Sequence, residues 1–418
     1  MKTKNAVYAQ SGGVTSVINA TACGVIEASR KSKKIDKLFA GKDGIVGILN
    51  EDLIDTSIEK SSEIKKLMHT PGGAFGSCRH KLKDPKKSQK EFKRLIEVFQ
   101  AHDIGYFFYN GGGDSQDTSN KIAQYTKEAG FPVTCIGIPK TIDNDLPFTD
   151  NCPGFGSVAK YIATSTKEAA LDVKSMSKSS TKIFILEVMG RHAGWLAASA
   201  GLAKSSNNSA PHIILLPEVP FNEKSFLKKV KEVVKKEDYC VIVVSEGAQY
   251  KNGKFLADAG TVDSFGHKQL GGVAPRVAAL ISSKLGLKYH WAVSDYLQRS
   301  ARHISSQVDL DQAYAVGKAA VEFASKGENA IMPTIVRKKS KPYSWDIGKV
   351  ELSRVANIEK KMPQKFISKD GFGITQSCKN YLLPLIQGEA WAPFKDGVID
   401  TASLKNKLTK KKLKSFKI

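Results

Sequence analysis

The sequence predicts an α/β protein: two doubly wound, Rossmann-like parallel-sheet domains facing a cleft, followed by a mixed C-terminal extension. Three observations predict it. Short apolar runs rich in β-branched and aromatic residues (NAVYAQ, GYFFYN, VTCIGIP, KIFILEVM, CVIVVSEG) alternate with stretches of helical period. That strand–helix rhythm recurs along most of the chain without any tandem repeat of roughly 20–50 residues. The runs also end on glycines, carboxylates, hydroxyls and a lysine, and in open α/β sheets ligands sit at the carboxyl ends of strands.

The first strand, Asn5–Gln10, leads through Ser11-Gly12-Gly13 into a helix with Thr15 or Ser16 as candidate N-cap. A strand, a glycine turn and a helix N-terminus can hold phosphate, and the same arrangement is equally an ordinary turn. KIDKLFAGKDGIVGIL offers a second strand, and PGGAFGSCRHKLKD a glycine-rich loop that could carry Arg79 to an anion. An amphipathic helix, KSQKEFKRLIEVFQAHDI, precedes strand GYFFYN and the loop Gly111–Thr118. VTCIGIP then ends on Lys140, Thr141, Asp143, Asn144 and Asp145. In an extended loop Asp143 and Asp145 would face the same way, with Lys140 supplying a charge beside them.

A long helix is expected from Val158 to about Met176, and then a second α/β unit whose strands end on Glu187, Met189, Gly190 and Arg191, on Glu218, and on Glu246. YLQRSARH is a loop, NAIMPTIVRKK a further strand, and from about Lys338 the pattern loosens toward a lysine-rich tail.

Composition sets limits. The chain has 418 residues, 41% hydrophobic and 25% charged, ordinary for a globular protein of two or three domains. It lacks an apolar run long enough to span a bilayer and an apolar leader, so a cytoplasmic protein is expected, with no membrane partner. Six scattered cysteines read as buried free thiols. The net charge of +23 suits phosphate ligands or solvated lysines; the last fourteen residues alone carry seven lysines and no acid. Nucleic-acid binding is not expected, because no aromatic-interleaved basic stripe accompanies the charge.

PKTIDND (139–145), GGGDS (111–115), MGRHAGW (189–195), PE (217–218), SEG (245–247) and YLQR (296–299) together resemble the motif set of the 6-phosphofructokinases, in the family's order and spacing. The extension resembles that of the long bacterial pyrophosphate-dependent clade. The resemblance implies phosphoryl transfer from pyrophosphate to the 1-hydroxyl of fructose 6-phosphate, reversibly, with Mg²⁺, in a homodimer or homotetramer. It implies a donor-phosphate domain over 1–145, completed by about 260–337, a sugar-phosphate domain over 146–259, and an extension over 338–418.

It also implies roles. Asp143 is the base, Thr141 and Ile142 flank it, and Gly13 binds donor phosphate through its backbone. Arg79 stands near the transferring phosphoryl group. Met189, Gly190, Arg191 and Glu246 hold the sugar, Tyr296 and Arg299 its 6-phosphate, and Lys182 matches a residue that reaches a neighbouring subunit's site. Asp114 and Lys140 stand where ATP-dependent members resemble glycine, the pair expected for pyrophosphate. The metal falls to Gly113 and Asp114, and Gly113 offers only a carbonyl where the family has Asp or Asn. Two alternatives stay open: sedoheptulose 7-phosphate as acceptor, or a catalytically impaired sugar-phosphate-binding subunit.

Overall fold

A computed structural model describes residues 3–206, 208–262 and 268–417. The first sheet has seven strands. Five come from the N-terminal third: β1 (Lys4–Gln10), β2 (Ile35–Gly41), β3 (Leu53–Asp55), β4 (Ile104–Gly111) and β5 (Thr134–Pro139). A hairpin of Ile331–Ser340 and Tyr343–Glu351 completes the sheet beside β5. Its centre, β5-β4-β1-β2, is parallel; β3 and the outer hairpin strand are antiparallel, so the sheet is mixed where a parallel one was expected.

Both faces of the central strands are covered, which explains their unbroken apolar runs. Tyr8, Phe108, Ile136 and Ile138 lie in the core beneath helices Ile18–Lys31 and Gln307–Ser325. Val7, Phe107, Tyr109 and Cys135 belong to the opposite core, with Phe92, Leu95 and Phe99 of helix Gln89–Ala101. The first two helices cross at two glycines. A Cβ on Gly24 would lie 2.3 Å from the Tyr314 carbonyl oxygen, and one on Gly317 2.2 Å from that of Thr21.

The second sheet is all parallel: β6 (Ile183–Val188), β7 (Ile213–Leu215) and β8 (Cys240–Ser245), with strand Tyr289–Val293 at the β6 edge. The expected completion of the first domain by 260–337 therefore divides. Tyr289–Val293 joins the second sheet, while the helix from Gln307 onward and the hairpin return to the first. The expected boundary at 338 falls inside a strand.

The extension is less loose than its sequence reads. Met362, Phe366, Ile367, Leu382 and Leu385 sit in the second domain's core with Trp195 and Leu196. The lysine tail then runs back across the first domain. Leu408 bridges to Ile54 of β3, and the Thr409 N–H donates to the Leu53 carbonyl at 2.8 Å. Two buried carboxylates hold it: Glu59 accepts the N–H groups of Lys405 and Asn406, and Glu51 those of Lys412 and Leu413.

Two helix starts differ from expectation, one of them because its cap comes from afar. The long helix begins at Phe155, where Asp309 accepts the N–H groups of Gly154 and Ser157 at 2.9 Å each. The first helix begins at Ile18, capped by neither Thr15 nor Ser16 in the expected way: Thr15 Oγ1 accepts only the Val17 N–H, at 3.3 Å, and Ser16 Oγ turns to Ser305 Oγ. All six cysteines are free and five are buried. Among the described residues no helix is long and apolar enough to cross a membrane.

Candidate active site

The carboxyl ends of β1, β4 and β5 face those of β6 and β8 across a cleft of about 680 Å³. Gly12, Gly13, Gly113, Asp114, Lys140, Thr141, Ile142, Asp143 and Asp145 line the side of the first sheet; Met189, Arg191 and Glu246 line the other, and Tyr296 and Arg299 close one end.

On the first-sheet side the cations converge. The loop before helix Gln89–Ala101 runs beside the β1 turn, with the Gly12 N–H donating to the Cys78 carbonyl at 2.9 Å, and this carries Arg79 into the cleft. Lys140 Nζ donates to the Gly13 carbonyl at 2.7 Å. A Cβ on Gly13 would lie 2.6 Å from Arg299 Nη1 and 3.7 Å from Arg79 Nη2, so only glycine leaves these groups their positions. Burial, and then the charges of Arg299 and Arg79, push the Lys140 ammonium down to about 8. Three cations crowded at one glycine turn form a seat for a polyanion.

Arg299 was expected at the sugar's 6-phosphate. Its guanidinium lies beside Gly13 and 3.8 Å over the ring of the exposed Tyr296, the other residue expected at that phosphate. Asp114 and Lys140 both line the cleft: Asp114 takes Lys81 Nζ at 2.5 Å, while Lys140 Nζ turns to the Gly13 carbonyl. Sequence reasoning passed over Lys81, one lysine among many in a basic loop.

The aspartates share the cleft for a reason other than the expected one. Between them Asn144 is fully buried with φ +55°, so the loop turns there instead of running extended. The Asp143 N–H donates to Thr141 Oγ1 at 3.1 Å. Burial, then the carboxylates of Asp145 and Glu246, push the Asp143 carboxyl up to about 7, against the pull of Arg191 and Lys140. Asp145 is raised too, by burial and by Glu359; its buried Oδ1 has no hydrogen-bond partner.

On the far side the second sheet's loops are held by carboxylates. Gly190, at φ +119°, donates its N–H to Glu246 Oε1 at 3.3 Å, and the Met189 N–H goes to Gln298 Oε1 at 3.3 Å. Glu218 accepts the Gly194 N–H at 2.8 Å. Glu187 caps helix Val273–Leu285 through the N–H groups of Gly272 and Ala274, at 3.0 and 2.8 Å. Glu187 and Glu218, which read as ligand-like strand ends, thus anchor loops. Lys182 lies at the opposite end of β6 from the cleft, its Nζ 2.6 Å from Asp238 Oδ1.

A metal fits sparingly. Among the described residues no three His, Cys, Asp or Glu side chains gather in a way that could hold an ion. Gly113 opens helix Gly113–Glu128 with free space where a side chain would stand, and Asp114 beside it faces the cleft. This suits a hard cation that keeps several waters and takes its other ligands from substrate phosphates.

The family model for phosphofructokinase matches residues 5–324. The pyrophosphate–fructose 6-phosphate 1-phosphotransferase of Halomonas elongata is 58% identical over 419 residues, covering all of both chains. That of Methylococcus capsulatus is 57% identical over 414 residues, covering 99% of each. The crystal structure of the pyrophosphate-dependent phosphofructokinase from Marinobacter aquaeolei superposes with a TM-score of 0.92 at 60% identity, over 99% of this chain and all of that one.

Proposed function

The chain belongs to the phosphofructokinase family, and from that premise we propose that it moves a phosphoryl group from pyrophosphate to the 1-hydroxyl of fructose 6-phosphate. The observation that carries this reading is the convergence of Lys140, Arg79 and Arg299 on the Gly12–Gly13 turn, within the same cleft as the Asp143 carboxyl. The relatives named for that reaction match the chain from end to end.

Asp143 accepts the proton of the 1-hydroxyl as its oxygen attacks the terminal phosphorus of pyrophosphate. The P–O–P bridge breaks, orthophosphate leaves, and the sugar bisphosphate forms. The three cations hold the charge that spreads over the phosphoryl oxygens. Lys81 ties Asp114 at the donor end, where bulk and negative charge oppose the α-phosphate of a nucleotide. The loop Met189–Arg191 with Glu246 holds the sugar, and Tyr296 closes the end beside Arg299. Asp114 and the Gly113 carbonyl would hold a magnesium ion, which would supply neutralising charge to the donor phosphates. Pyrophosphate cleavage leaves little driving force beyond the ester formed, so the reaction is expected to run in either direction. Trp291 and Val293 on the edge strand and Leu297 after it are exposed, and we assign this face to self-association.

Purified protein supplied with fructose 6-phosphate and Mg²⁺ is expected to turn over with pyrophosphate and not with ATP. The opposite result rejects the donor assignment. Comparing kcat/KM for fructose 6-phosphate and sedoheptulose 7-phosphate tests the acceptor.

A further inference from the structure

A short piece of the C-terminal extension, residues 357–360, touches elements from both sides of the cleft. Asn357 Nδ2 donates to Asp117 Oδ1, on the helix that follows the Gly113–Asp114 turn, at 3.2 Å. Glu359 lines the cleft, its Oε1 3.0 Å from His192 Nδ1 in the sugar-side loop. The Lys360 N–H donates to the Asp145 carbonyl at 2.6 Å, and the Lys360 carbonyl accepts the Trp195 indole N–H at 3.1 Å. Lys360 Nζ reaches Asn144 Oδ1 at 3.3 Å and the carbonyls of Thr149 and Asp150 at 3.1 and 3.0 Å.

Asn144 is the hinge of the aspartate turn. It is a non-glycine residue held at positive φ with its side chain fully buried, a conformation that lasts only where the surroundings over-determine it. Much of what determines it is the extension. Tyr381 OH accepts the Asn144 Nδ2 hydrogen at 3.0 Å and itself donates to the Asp150 carbonyl at 2.6 Å. Near groups share the task, since Asn144 Oδ1 also accepts the Cys152 N–H at 3.0 Å, but a segment more than two hundred residues later supplies the ammonium and the hydroxyl on its side chain.

We infer that Lys360 is a positioning residue for the phosphoryl-transfer step. Its ammonium, with the Tyr381 hydroxyl, locks Asn144 so that Asp143 faces the attacking hydroxyl. The inference rests on the proposed phosphotransferase reading, and displacement of a reacting group by about 1 Å costs on the order of 100-fold in rate.

The test is a kinetic cycle on the full-length protein. Lys360→Met keeps the stem and removes the ammonium. It is expected to lower kcat about 30-fold while both KM values stay within about twofold, the pattern of a group that acts at the transition state. Lys360→Arg is expected to recover most of that loss. In an Asp143→Asn background Lys360→Met is expected to cost less than about threefold, because its effect passes through Asp143. Equal losses in both backgrounds, or a raised KM at unchanged kcat, would overturn the inference. If Lys360→Met does not fold, Tyr381→Phe carries the same cycle, with an expected loss of about fivefold that vanishes beside Asp143→Asn. Should the wild type turn over with ATP alone, the same ratios are read with ATP, so the donor reading and the Lys360 assignment fail separately.

Discussion

The two sides of the cleft are built from the same unit, a parallel sheet whose strand ends meet the ligand, yet they use their charged residues differently. On the first side Lys140 and Arg79 look into the cleft and are joined there by Arg299 from the helix after the second sheet's edge strand, at the expense of Lys140's own basicity. On the second side Glu187, Glu218 and Glu246 each accept backbone N–H groups of their own domain's loops and helix. Cations gather toward the cleft on one side; on the other the carboxylates fix the frame, and Glu246 both fixes it and lines the cleft. A charged residue at a strand end is thus evidence of position and not of role; its hydrogen-bond partners decide.

The sharpest way to break this contrast is at the base. Asp143→Asn is expected to lower kcat by about 10²–10⁴. The same change is expected to raise the melting temperature. A carboxyl whose pKa is raised to about 7 on folding opposes folding once the pH exceeds the unfolded carboxylate value, and an amide removes that cost. Thermal melts at pH 8 check it; a lower melting temperature would mean that the Asp143 charge supports the fold.

Next in size is the donor end. Asp114→Gly with Lys140→Gly is expected to lower kcat/KM for pyrophosphate by about 10²–10³ and move preference toward ATP. Steady-state kinetics with both donors read this, and an unchanged preference would remove the steric and electrostatic account of donor choice.

The pH profile follows. Asp143 must be ionised to accept a proton, so kcat/KM falls as pH drops below about 7. Lys140 must be charged to hold phosphate, so kcat/KM falls again as pH rises above about 8. The expected curve is a narrow bell. In Lys140→Arg the alkaline limb is expected to move up or vanish, because a guanidinium stays charged there.

The smallest effect belongs to the framing side. Glu187→Gln weakens the cap of helix Val273–Leu285 and is expected to cost about 1 kcal/mol of stability, with kcat unchanged within about threefold. A loss of kcat as large as that of Asp143→Asn would show that Glu187 meets substrate and would end the contrast.

These loops were legible in the sequence because each is a local signal: an apolar run, then glycines and charges within a few residues. That sufficed for the α/β architecture, for the two facing sheets, and for the cleft residues from Gly13 to Glu246. What escaped were the long-range partners. Asp309 caps a helix that begins over 150 residues earlier, Tyr289–Val293 joins a sheet that its sequence position did not suggest, and Lys81 meets Asp114 from another loop. Lys360 escaped most completely. It stands in a charged stretch with neither period nor motif, and its role exists only once Asn144 is placed beside it.

The sheet that carries the proposed donor seat is woven from distant parts of the polypeptide: β1 to β5, and then a hairpin over 331–351, with residues 407–409 laid along β3. During synthesis the nascent first domain leaves the ribosome with the flank of β5 bare, while the whole second domain is translated in between. Assembly of the catalytic half must therefore wait for late residues, and an apolar strand edge stands open to chaperones or to wrong pairing for that interval.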